Sequence, residues 1–410
     1  MASFSFGAGN AQKLARLPLY GIGRLVTLVT PRTGRWVFGC GSGIADGALA
    51  LWREAEARGI DAVWLTTTER ERADAERAGI PTIPKMSWRG FWATARARVA
   101  VVTHGFGDVN PFAVSGAFVA QLWHGIPLKR IGLDAPELVR SAFLPNSALV
   151  RRVIGWMYRR SAQRIGVLPA ASHLVRARLE SAFGIGHDRI AVTGEPRVDV
   201  IATETAEQAR AIVANRIPGI RDESALLLYA PTWRDGDPDP GVPSEAEWRE
   251  IADVLDAHDA VLIVRSHRLG EGEYVPGIAT DRIALLGADQ LADITPAIPA
   301  FAALITDYSS LVYDAALADV PSLFLAPDIE EYARRRGFYG TYADVAGPDP
   351  ATTWAALVPE IARFLGQDEE RERRIGVARA LSARVHTYRD GRNTRRVLEE
   401  ILHRIGENRP

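Results

Sequence analysis

The chain has 410 residues, of which 47% are hydrophobic, and its 49 basic and 50 acidic side chains leave a formal net charge of −1. This length and apolar content suffice for two domains with substantial cores. The near-neutral balance argues against nucleic-acid binding, which usually needs a basic face. A single cysteine, Cys40, excludes an internal disulfide framework, and the eight histidines show no metal-binding spacing. We therefore expect neither a metal ion nor a cofactor.

The N-terminal region predicts a protein that stays in the cytoplasm. Residues 1–12 are small and polar rather than basic and then apolar, and no apolar run approaches the roughly 20 residues that span a bilayer. The stretch 13–29 mixes apolar residues with Lys13, Arg16 and Arg24. This pattern is typical of a segment that rests on an anionic membrane surface. It is equally typical of a helix packed on its own domain.

Apolar strands alternate with amphipathic helices along the rest of the chain, which is typical of a parallel α/β architecture. We predict one domain over residues 1–217 and a second over 218–410, with the last helices as candidates to pack back on the first. The predicted strands are 36–38, 62–65, 99–103, 118–122, 165–168 and 190–193 in the first domain, and 225–230, 260–264, 303–305 and 322–325 in the second.

A predicted strand at the start of the segment 304–314 leads through polar residues into a helix. Ser309 and Ser310 fall near the N-terminus of this helix, where unpaired N–H groups and the helix dipole suit an anion. Their hydroxyl groups add donors, so the segment predicts a phosphate-binding loop. A serine that only caps the helix is the alternative.

Two further predicted strands end in basic residues. His124 follows the strand 118–122, and Arg265 and His267 follow the strand 260–264. Ligands of open α/β sheets bind at the carboxyl ends of the strands. Histidine, arginine and serine at three separate strand ends therefore predict phosphoryl chemistry.

Seven motifs in a fixed order resemble the CDP-glycerol glycerophosphotransferase family, whose enzymes prime and polymerise the polyol-phosphate chains of teichoic acids and related capsules. The resemblance covers roughly residues 30 to 400. The motifs are Trp123-His-Gly-Ile-Pro-Leu-Lys129, Thr193-Gly-Glu-Pro-Arg-Val-Asp199, Tyr229-Ala-Pro-Thr-Trp-Arg-Asp235, Arg265-Ser-His267, Thr306-Asp-Tyr-Ser-Ser310, Asp328-Ile-Glu-Glu-Tyr332 with Arg336-Gly-Phe-Tyr339, and Asp390-Gly391 with Arg396.

The resemblance implies a GT-B fold, in which two Rossmann-like domains with parallel sheets face each other across the active-site cleft. The first domain would serve the acceptor and the second the nucleotide donor. The implied reaction moves glycerol phosphate or ribitol phosphate from a CDP-polyol to a hydroxyl group of a lipid-linked or polymeric acceptor and releases CMP. Such an enzyme would work in cell-wall or capsule synthesis, peripherally associated with the inner face of the cell membrane.

The resemblance also implies roles for individual residues. His124 would be the base for the acceptor hydroxyl, because a histidine titrates near the operating pH. His267 and Arg265 would stabilise the departing CMP. The expected donor-binding residues are Arg265, Asp293, Thr306, Asp307, Ser309 and Ser310, and the expected acceptor- or phosphate-binding residues are Lys129, Arg130 and Arg197. For each basic residue, a structural or solvated side chain is the alternative.

Three positions depart from the family pattern. Ile126 stands where the family usually has threonine, Glu195 where it often has an aromatic residue, and Arg268 where it has proline. These departures leave the acceptor and the choice between glycerol and ribitol open. The competing interpretations are a GT-B glycosyltransferase with a nucleotide-sugar donor, an enzyme of the UDP-GlcNAc 2-epimerase type, and a non-enzymatic protein that binds a surface polymer.

Overall fold

The computed structural model describes residues 17–135, 147–232, 234, 238–266 and 274–406. Among the predicted site residues, His267 lies outside the described residues, and so do Lys13, Arg16 and Arg268.

Contacts within the chain divide it into two compact units. The first comprises Met1–Gly125, Ile131–Asp199 and Asp390–Pro410, and the second comprises Ile126–Arg130 and Val200–Arg389. This division differs from the predicted boundary at residue 217. The helix Ala206–Ala214 packs on the 3-10 helix Thr295–Ala300 of the second unit, so residues 200–217 lie with that unit.

The first unit is built on a parallel sheet of seven strands within the described residues, in the order β3-β2-β1-β4-β5-β6-β7. A parallel strand in the middle of such a sheet is covered on both faces, which is why 99–102 is a continuous run of buried valine and alanine. The strands are β1 (Trp36–Phe38), β2 (Ala62–Thr66), β3 (Thr82–Pro84), β4 (Val99–Val102), β5 (Phe118–Gln121), β6 (Ile165–Ala170) and β7 (Ile190–Val192).

Helices cover this sheet, and the last of them comes from the end of the chain. They are α1 (Leu17–Val29), α2 (Asp46–Ala57), α3 (Glu69–Arg77), α4 (Trp88–Arg96), α5 (Ala148–Ala162), α6 (His173–Phe183), α7 (Asp199–Thr203), which crosses into the second unit, and the C-terminal helix Asn393–Arg404. The C-terminal helix packs on α2, and its Val397, Leu398 and Ile401 share a buried core with Trp52 and Trp64.

The second unit is built on a parallel sheet of five strands within the described residues, in the order β10-β9-β8-β11-β12. The strands are β8 (Ala225–Ala230), β9 (Ala260–Val264), β10 (Ile283–Leu285), β11 (Ala303–Thr306) and β12 (Ser322–Phe324). The helices are α8 (Ala206–Ala214), α9 (Glu245–Ala257), α10 (Leu311–Leu317), α11 (Ile329–Arg335), α12 (Ala343–Ala346), α13 (Trp354–Gly366) and α14 (Asp368–Val385). The C-terminal helix Asn393–Arg404 of the first unit is numbered α15. Trp248, Trp354 and Phe364 fill the core between the sheet, α9 and α13.

The predicted parallel α/β class is confirmed, and ten of the twelve strands in the described ranges lie within a residue or two of their predicted limits. Sequence analysis missed β3 and β10. Both have three residues and lie at a sheet edge, and an edge strand needs no long apolar run because one side of it is open.

Helix α1 is continuous although Pro18 and two glycines argue against it. Pro18 occupies the first turn, where the missing N–H costs no hydrogen bond. At Gly23 an added Cβ would lie 2.2 Å from the Phe112 carbonyl oxygen, so glycine allows a close approach there. Among the described residues, no helix is both long and apolar enough to cross a membrane.

Candidate active site

His124 lies in a sharp turn after β5. Its neighbours Trp123 and Gly125 have φ angles of 62° and 126°. A left-handed conformation is uncommon for a tryptophan and clusters at functional sites. The turn therefore sets the position of the imidazole closely at the carboxyl end of the sheet, as predicted for this residue.

A second histidine, His104, stacks on His124. The two imidazole ring centroids are 4.4 Å apart and the ring planes differ by 4°. The residues come together because β4 and β5 are parallel neighbours with Val102 opposite Gln121, and each histidine follows its strand by two or three residues. Sequence analysis missed His104, although a histidine just after a fully apolar strand was a usable signal.

The His104 loop is fixed by a carboxylate. Asp108 is buried and accepts hydrogen bonds from the backbone N–H groups of Thr103 (2.8 Å) and His104 (2.7 Å). The Thr103 hydroxyl lies 2.8 Å from His104 Nδ1. The stacking partner of His124 is therefore itself held by two hydrogen bonds, and a third fixes the preceding residue.

His124 is a neutral imidazole in this environment. Burial lowers its pKa to about 3, with a further contribution from His104, and a hydrogen bond to the Thr103 backbone opposes the shift. Its Nδ1 atom is buried and has no hydrogen-bond partner in the described part of the chain. A neutral ring with an unprotonated nitrogen is the form that accepts a proton.

Arg197 lies between two carboxylates of the first unit. Its guanidinium is 3.5 Å from Asp46 and 4.0 Å from Glu195, and Glu195 is buried. Glu195, the departure from the family pattern, thus compensates the Arg197 charge. These contacts favour the alternative in which Arg197 anchors its loop, and a phosphate contact by Arg197 stays a prediction.

The end of the same motif anchors the C-terminal helix. The Asp199 carboxylate accepts hydrogen bonds from the N–H groups of Asn393 (3.0 Å) and Thr394 (2.7 Å) at the start of α15. Asp390 and Arg396 form an ion pair beside them. These two motifs therefore join the end of the chain to the first unit.

In the second unit, Ser309 and Ser310 follow β11 and are half-buried. The Ser309 hydroxyl accepts a hydrogen bond of 3.3 Å from the Leu311 N–H group, and the Ser310 side chain makes no capping bond to α10. The Ser310 hydroxyl is thus not used as a helix cap, which agrees with the predicted phosphate contact more than with the capping alternative.

Thr306 and Asp307 have their polar atoms occupied by the protein. The buried Thr306 hydroxyl donates to the Ala230 carbonyl at 2.7 Å. The buried Asp307 carboxylate accepts from the Thr232 N–H group at 2.8 Å and pairs with Arg234 at 2.9 Å. Burial raises the Asp307 pKa, and Arg234 opposes this shift. The side chains of these two residues therefore help to hold the serine loop, and a direct donor contact by them stays a prediction.

Arg234 is the centre of a clamp that sequence analysis did not single out. Besides Asp307, it binds Asp328 with two hydrogen bonds of 2.9 Å. Its guanidinium carbon lies 5.0 Å from the ring centroids of both Tyr308 and Tyr332, and the Tyr308 hydroxyl donates to Asp328 at 2.9 Å. The clamp thus joins three of the sequence motifs around the serine loop.

Lys129 brings a further positive charge to this clamp. Its ammonium lies 5.9 Å from the Tyr332 ring centroid. Burial lowers its pKa to about 8, Asp307 opposes the shift, and the charges of Arg336 and Arg234 add to it. Lys129, Arg234 and Arg336 thus lie near the carboxylates of Asp239, Asp307 and Asp328. The neighbouring Arg130 side chain is exposed, and its backbone N–H group bonds the Gly337 carbonyl at 3.0 Å.

Arg265 and Asp293 lie after β9 and β10. The Arg265 guanidinium donates to the carbonyls of Leu286 (3.3 Å) and Ala292 (3.3 Å). Asp293 accepts a hydrogen bond of 2.9 Å from the Thr295 N–H group at the start of the 3-10 helix Thr295–Ala300. Their contacts with a nucleotide stay predictions. Among the described residues, no group of three or more His, Cys, Asp or Glu side chains is arranged to hold a metal.

Two parallel α/β sheets with histidine, lysine, arginine and serine after their strands make up a GT-B-like fold. The chain belongs to the CDP-Glycerol:Poly(glycerophosphate) glycerophosphotransferase family, whose model matches residues 36–403. The predicted family and the predicted fold class are thereby confirmed.

Relatives and solved structures agree with this assignment. The chain is 28% identical over 315 residues to the teichoic acid poly(glycerol phosphate) polymerase of Bacillus subtilis, covering 71% of this chain and 38% of the polymerase. It is 25% identical over 335 residues to the teichoic acid glycerol-phosphate transferase of Staphylococcus aureus, covering 80% of this chain and 82% of that transferase. The chain thus spans well under half the length of the first relative.

The fold matches a structure of the wall teichoic acid polymerase TagF with a TM-score of 0.76 at 19% identity, over 99% of each chain. A UDP-N-acetylglucosamine 2-epimerase matches with a TM-score of 0.54 at 16% identity, over 93% of this chain and 98% of the epimerase. At these identities both likenesses show the fold alone.

Proposed function

We propose that the protein transfers glycerol phosphate or ribitol phosphate from a CDP-polyol to a hydroxyl group of a lipid-linked or polymeric acceptor and releases CMP. The product would be a teichoic acid-like or capsular polymer. One observation carries this proposal: the family match spans residues 36–403 and so includes His124. Its imidazole is neutral, and its buried Nδ1 atom has no hydrogen-bond partner within the described residues. Names of relatives include both poly(glycerol phosphate) and ribitol-phosphate polymerases, so both donors are candidates.

The proposed reaction is an attack by the acceptor hydroxyl oxygen on the β-phosphorus of the CDP-polyol. A new oxygen–phosphorus bond forms, and the bond between this phosphorus and the CMP oxygen breaks, with its electron pair leaving on CMP. The hydroxyl proton moves to His124. A nearby diphosphate favours the protonated ring and raises the His124 pKa from its low value. The base is therefore strengthened when an anionic donor is bound.

The second unit supplies candidate phosphate-binding groups for this reaction. Lys129 provides positive charge, and the Ser310 hydroxyl provides a donor that no helix cap uses. The Thr232 hydroxyl is also buried without a hydrogen-bond partner within the described residues. Charge-assisted hydrogen bonds of this kind stabilise the charge that develops on the leaving CMP.

We further propose that the protein works in the cytoplasm on the inner face of the cell membrane. Helix α1 exposes Leu25, Leu28 and Val29, which are 66%, 72% and 83% exposed, and it also carries Arg24. An exposed apolar face with basic residues is typical of helices that lie in an anionic membrane surface.

Helix α5 of the same unit extends this proposal. It exposes Leu149 and Trp156, and Arg160 lies over the Trp156 ring at 5.8 Å. Burial, followed by the charges of Arg24 and Arg160, lowers the pKa of Arg164, so guanidinium groups from α1 and α5 lie near each other. Aromatic and basic residues of this kind suit the lipid–water interface.

Measurement of CMP release tests the proposed reaction. The purified protein is incubated with CDP-glycerol, CDP-ribitol or UDP-N-acetylglucosamine, with and without a glycerol-phosphate oligomer as acceptor. We expect CMP release that needs both a CDP-polyol and the acceptor, and His124→Ala should lower its rate by about 10²–10⁴-fold. The exposed His187 gives the matched control His187→Ala. Turnover of the UDP-sugar alone would favour the glycosyltransferase or epimerase interpretation.

The same assay addresses the predicted independence from metals and cofactors. Equal rates of CMP release with and without a chelator would support it, and a loss that added Mg²⁺ restores would contradict it.

A further inference from the structure

The parallel stack of His104 on His124 is a feature that the proposed mechanism does not yet use. In the described part of the chain, no hydrogen bond to Nδ1 orients the His124 ring. Its position instead depends on ring packing with His104, at 4.4 Å, and with Trp123, whose centroid is 4.0 Å away. A bond to the Thr103 backbone adds to this packing.

His104 is more firmly held than the ring it supports. The Thr103 hydroxyl bonds its Nδ1 atom, and Asp108 bonds its backbone N–H group. The backbone at Gly41 packs against the ring, because a Cβ added there would lie 2.7 Å from His104 Cγ. A side chain at position 41 would therefore displace His104 without changing its chemistry.

The geometry excludes a direct proton relay between the two rings. An imidazole N–H group points in the plane of its ring, so two rings stacked at an interplanar angle of 4° cannot form an N–H···N hydrogen bond with each other. His104 can act on His124 only through packing and charge.

We propose that His104 is a positioning residue for the transfer reaction, whose stacked ring holds the His124 imidazole in the orientation in which it accepts the acceptor proton. This inference rests on the proposed function, in which His124 is the base. It assigns a role to a residue outside the family motifs that the sequence displays.

The charges around the pair fix the expected pH behaviour. Burial lowers the His104 pKa, and the Asp108 charge opposes this shift. Among the described side chains, Arg197 disfavours protonation of His124. Cys40 lies beside Thr103, and burial raises its pKa to about 12, so it stays neutral. Because a protonated His104 would repel a proton on His124, removal of the His104 charge should raise the His124 pKa.

Three variants separate packing from charge: His104→Ala removes the ring, His104→Phe keeps an aromatic ring without charge, and Gly41→Ala displaces the native ring. With CDP-glycerol and a glycerol-phosphate oligomer, we expect His104→Ala to lower kcat roughly tenfold to hundredfold, the usual effect of a misplaced catalytic group. The KM for CDP-glycerol should not change. His104→Phe should recover most of the lost rate, and Gly41→Ala should fall between them.

A second readout distinguishes positioning from a general loss of structure. In His104→Phe the acidic limb of the kcat profile, which reports protonation of His124, should move to higher pH. NMR titration of His124 in the free protein should show the same direction, and His187→Phe should change neither. Circular dichroism of each variant verifies the fold.

The outcomes separate this inference from the proposed function. Wild-type turnover by His124→Ala would overturn the base assignment and the positioning role together. A strong loss in His124→Ala, combined with wild-type kcat in both folded His104→Ala and folded Gly41→Ala, would overturn the positioning role alone.

Discussion

Replacement of Arg234 by methionine tests whether the buried clamp holds the serine loop. The Arg234 side chain is 7% exposed and binds Asp307 and Asp328 through three hydrogen bonds of 2.9 Å. Methionine keeps much of the side-chain length but removes the charge and all five donors. Asp307, 6% exposed, then keeps its bond from the Thr232 N–H group but loses its bonded cation.

The expected loss of stability is large because the pairs are buried. Removal of one partner of a buried ion pair costs about 3–5 kcal/mol, since the other charge stays buried without compensation. An exposed pair contributes about 1 kcal/mol or less. Arg249→Met supplies that comparison in the same unit, because Arg249 and its partner Glu245 are 60% and 59% exposed.

Urea unfolding of the full-length protein, followed by circular dichroism, measures both losses. The transition of the second unit should move to lower urea in Arg234→Met and hardly move in Arg249→Met. The KM for CDP-glycerol should rise in the first variant only, because the loop that carries Ser309 and Ser310 loses its support.

The pH dependence gives an independent test. Arg234 opposes the effect of burial on the Asp307 pKa, so this pKa should rise further when Arg234 is removed. Between the unfolded and the folded pKa of Asp307, the folded state then binds a proton that the unfolded state has released. The free energy of unfolding of Arg234→Met should therefore fall as pH rises above the ordinary carboxyl pKa of about 4. The difference in this free energy between the wild type and the variant should become smaller in acid. A deficit equal to that of Arg249→Met, or one that grows in acid, would refute this account of the clamp.

Three further predictions concern other parts of the molecule. Ser310→Ala and Arg265→Ala should weaken CDP-glycerol binding in calorimetry, and unchanged affinity in both would place the donor elsewhere. Gly194→Ala should destabilise the protein by about 1–3 kcal/mol, because φ is 78° and the added Cβ would lie 2.1 Å from the Asn393 side chain; a wild-type melting temperature would contradict this. Trp156→Ser should reduce binding to anionic liposomes while CMP release with a soluble acceptor persists, and equal liposome binding would reject α5 as a membrane contact.

Much of the fold was predictable from local pattern. Strands such as β4 and β9 are buried on both faces and so appear as continuous apolar runs, which mark them without any knowledge of their neighbours. The edge strands β3 and β10 escaped prediction because they lack such runs. The boundary between the units was also predicted wrongly, because it depends on the unit against which α8 packs and not on a break in the sequence.

For the candidate site, too, the sequence indicated some features and the structure alone showed others. The sequence by itself indicated His124, Lys129 and the serine loop, because polar residues after apolar strands are a local signal and the motifs add family resemblance. It could not separate Ser310, whose hydroxyl makes no cap, from Asp307, whose carboxylate is bonded within the protein. That distinction depends on partners far away in the chain.

Only the tertiary structure decided those partners. Arg234 meets Asp328 across 94 residues, and Asp199 meets Asn393 across 194, contacts that no local periodicity encodes. His104 meets His124 because β4 and β5 pair in parallel and end side by side. Local sequence thus determined which segments form strands and where polar groups follow them. Strand order and loop path determined which of those groups stack, pair or stay open, because these interactions act over a few ångströms in space and have no fixed separation along the chain.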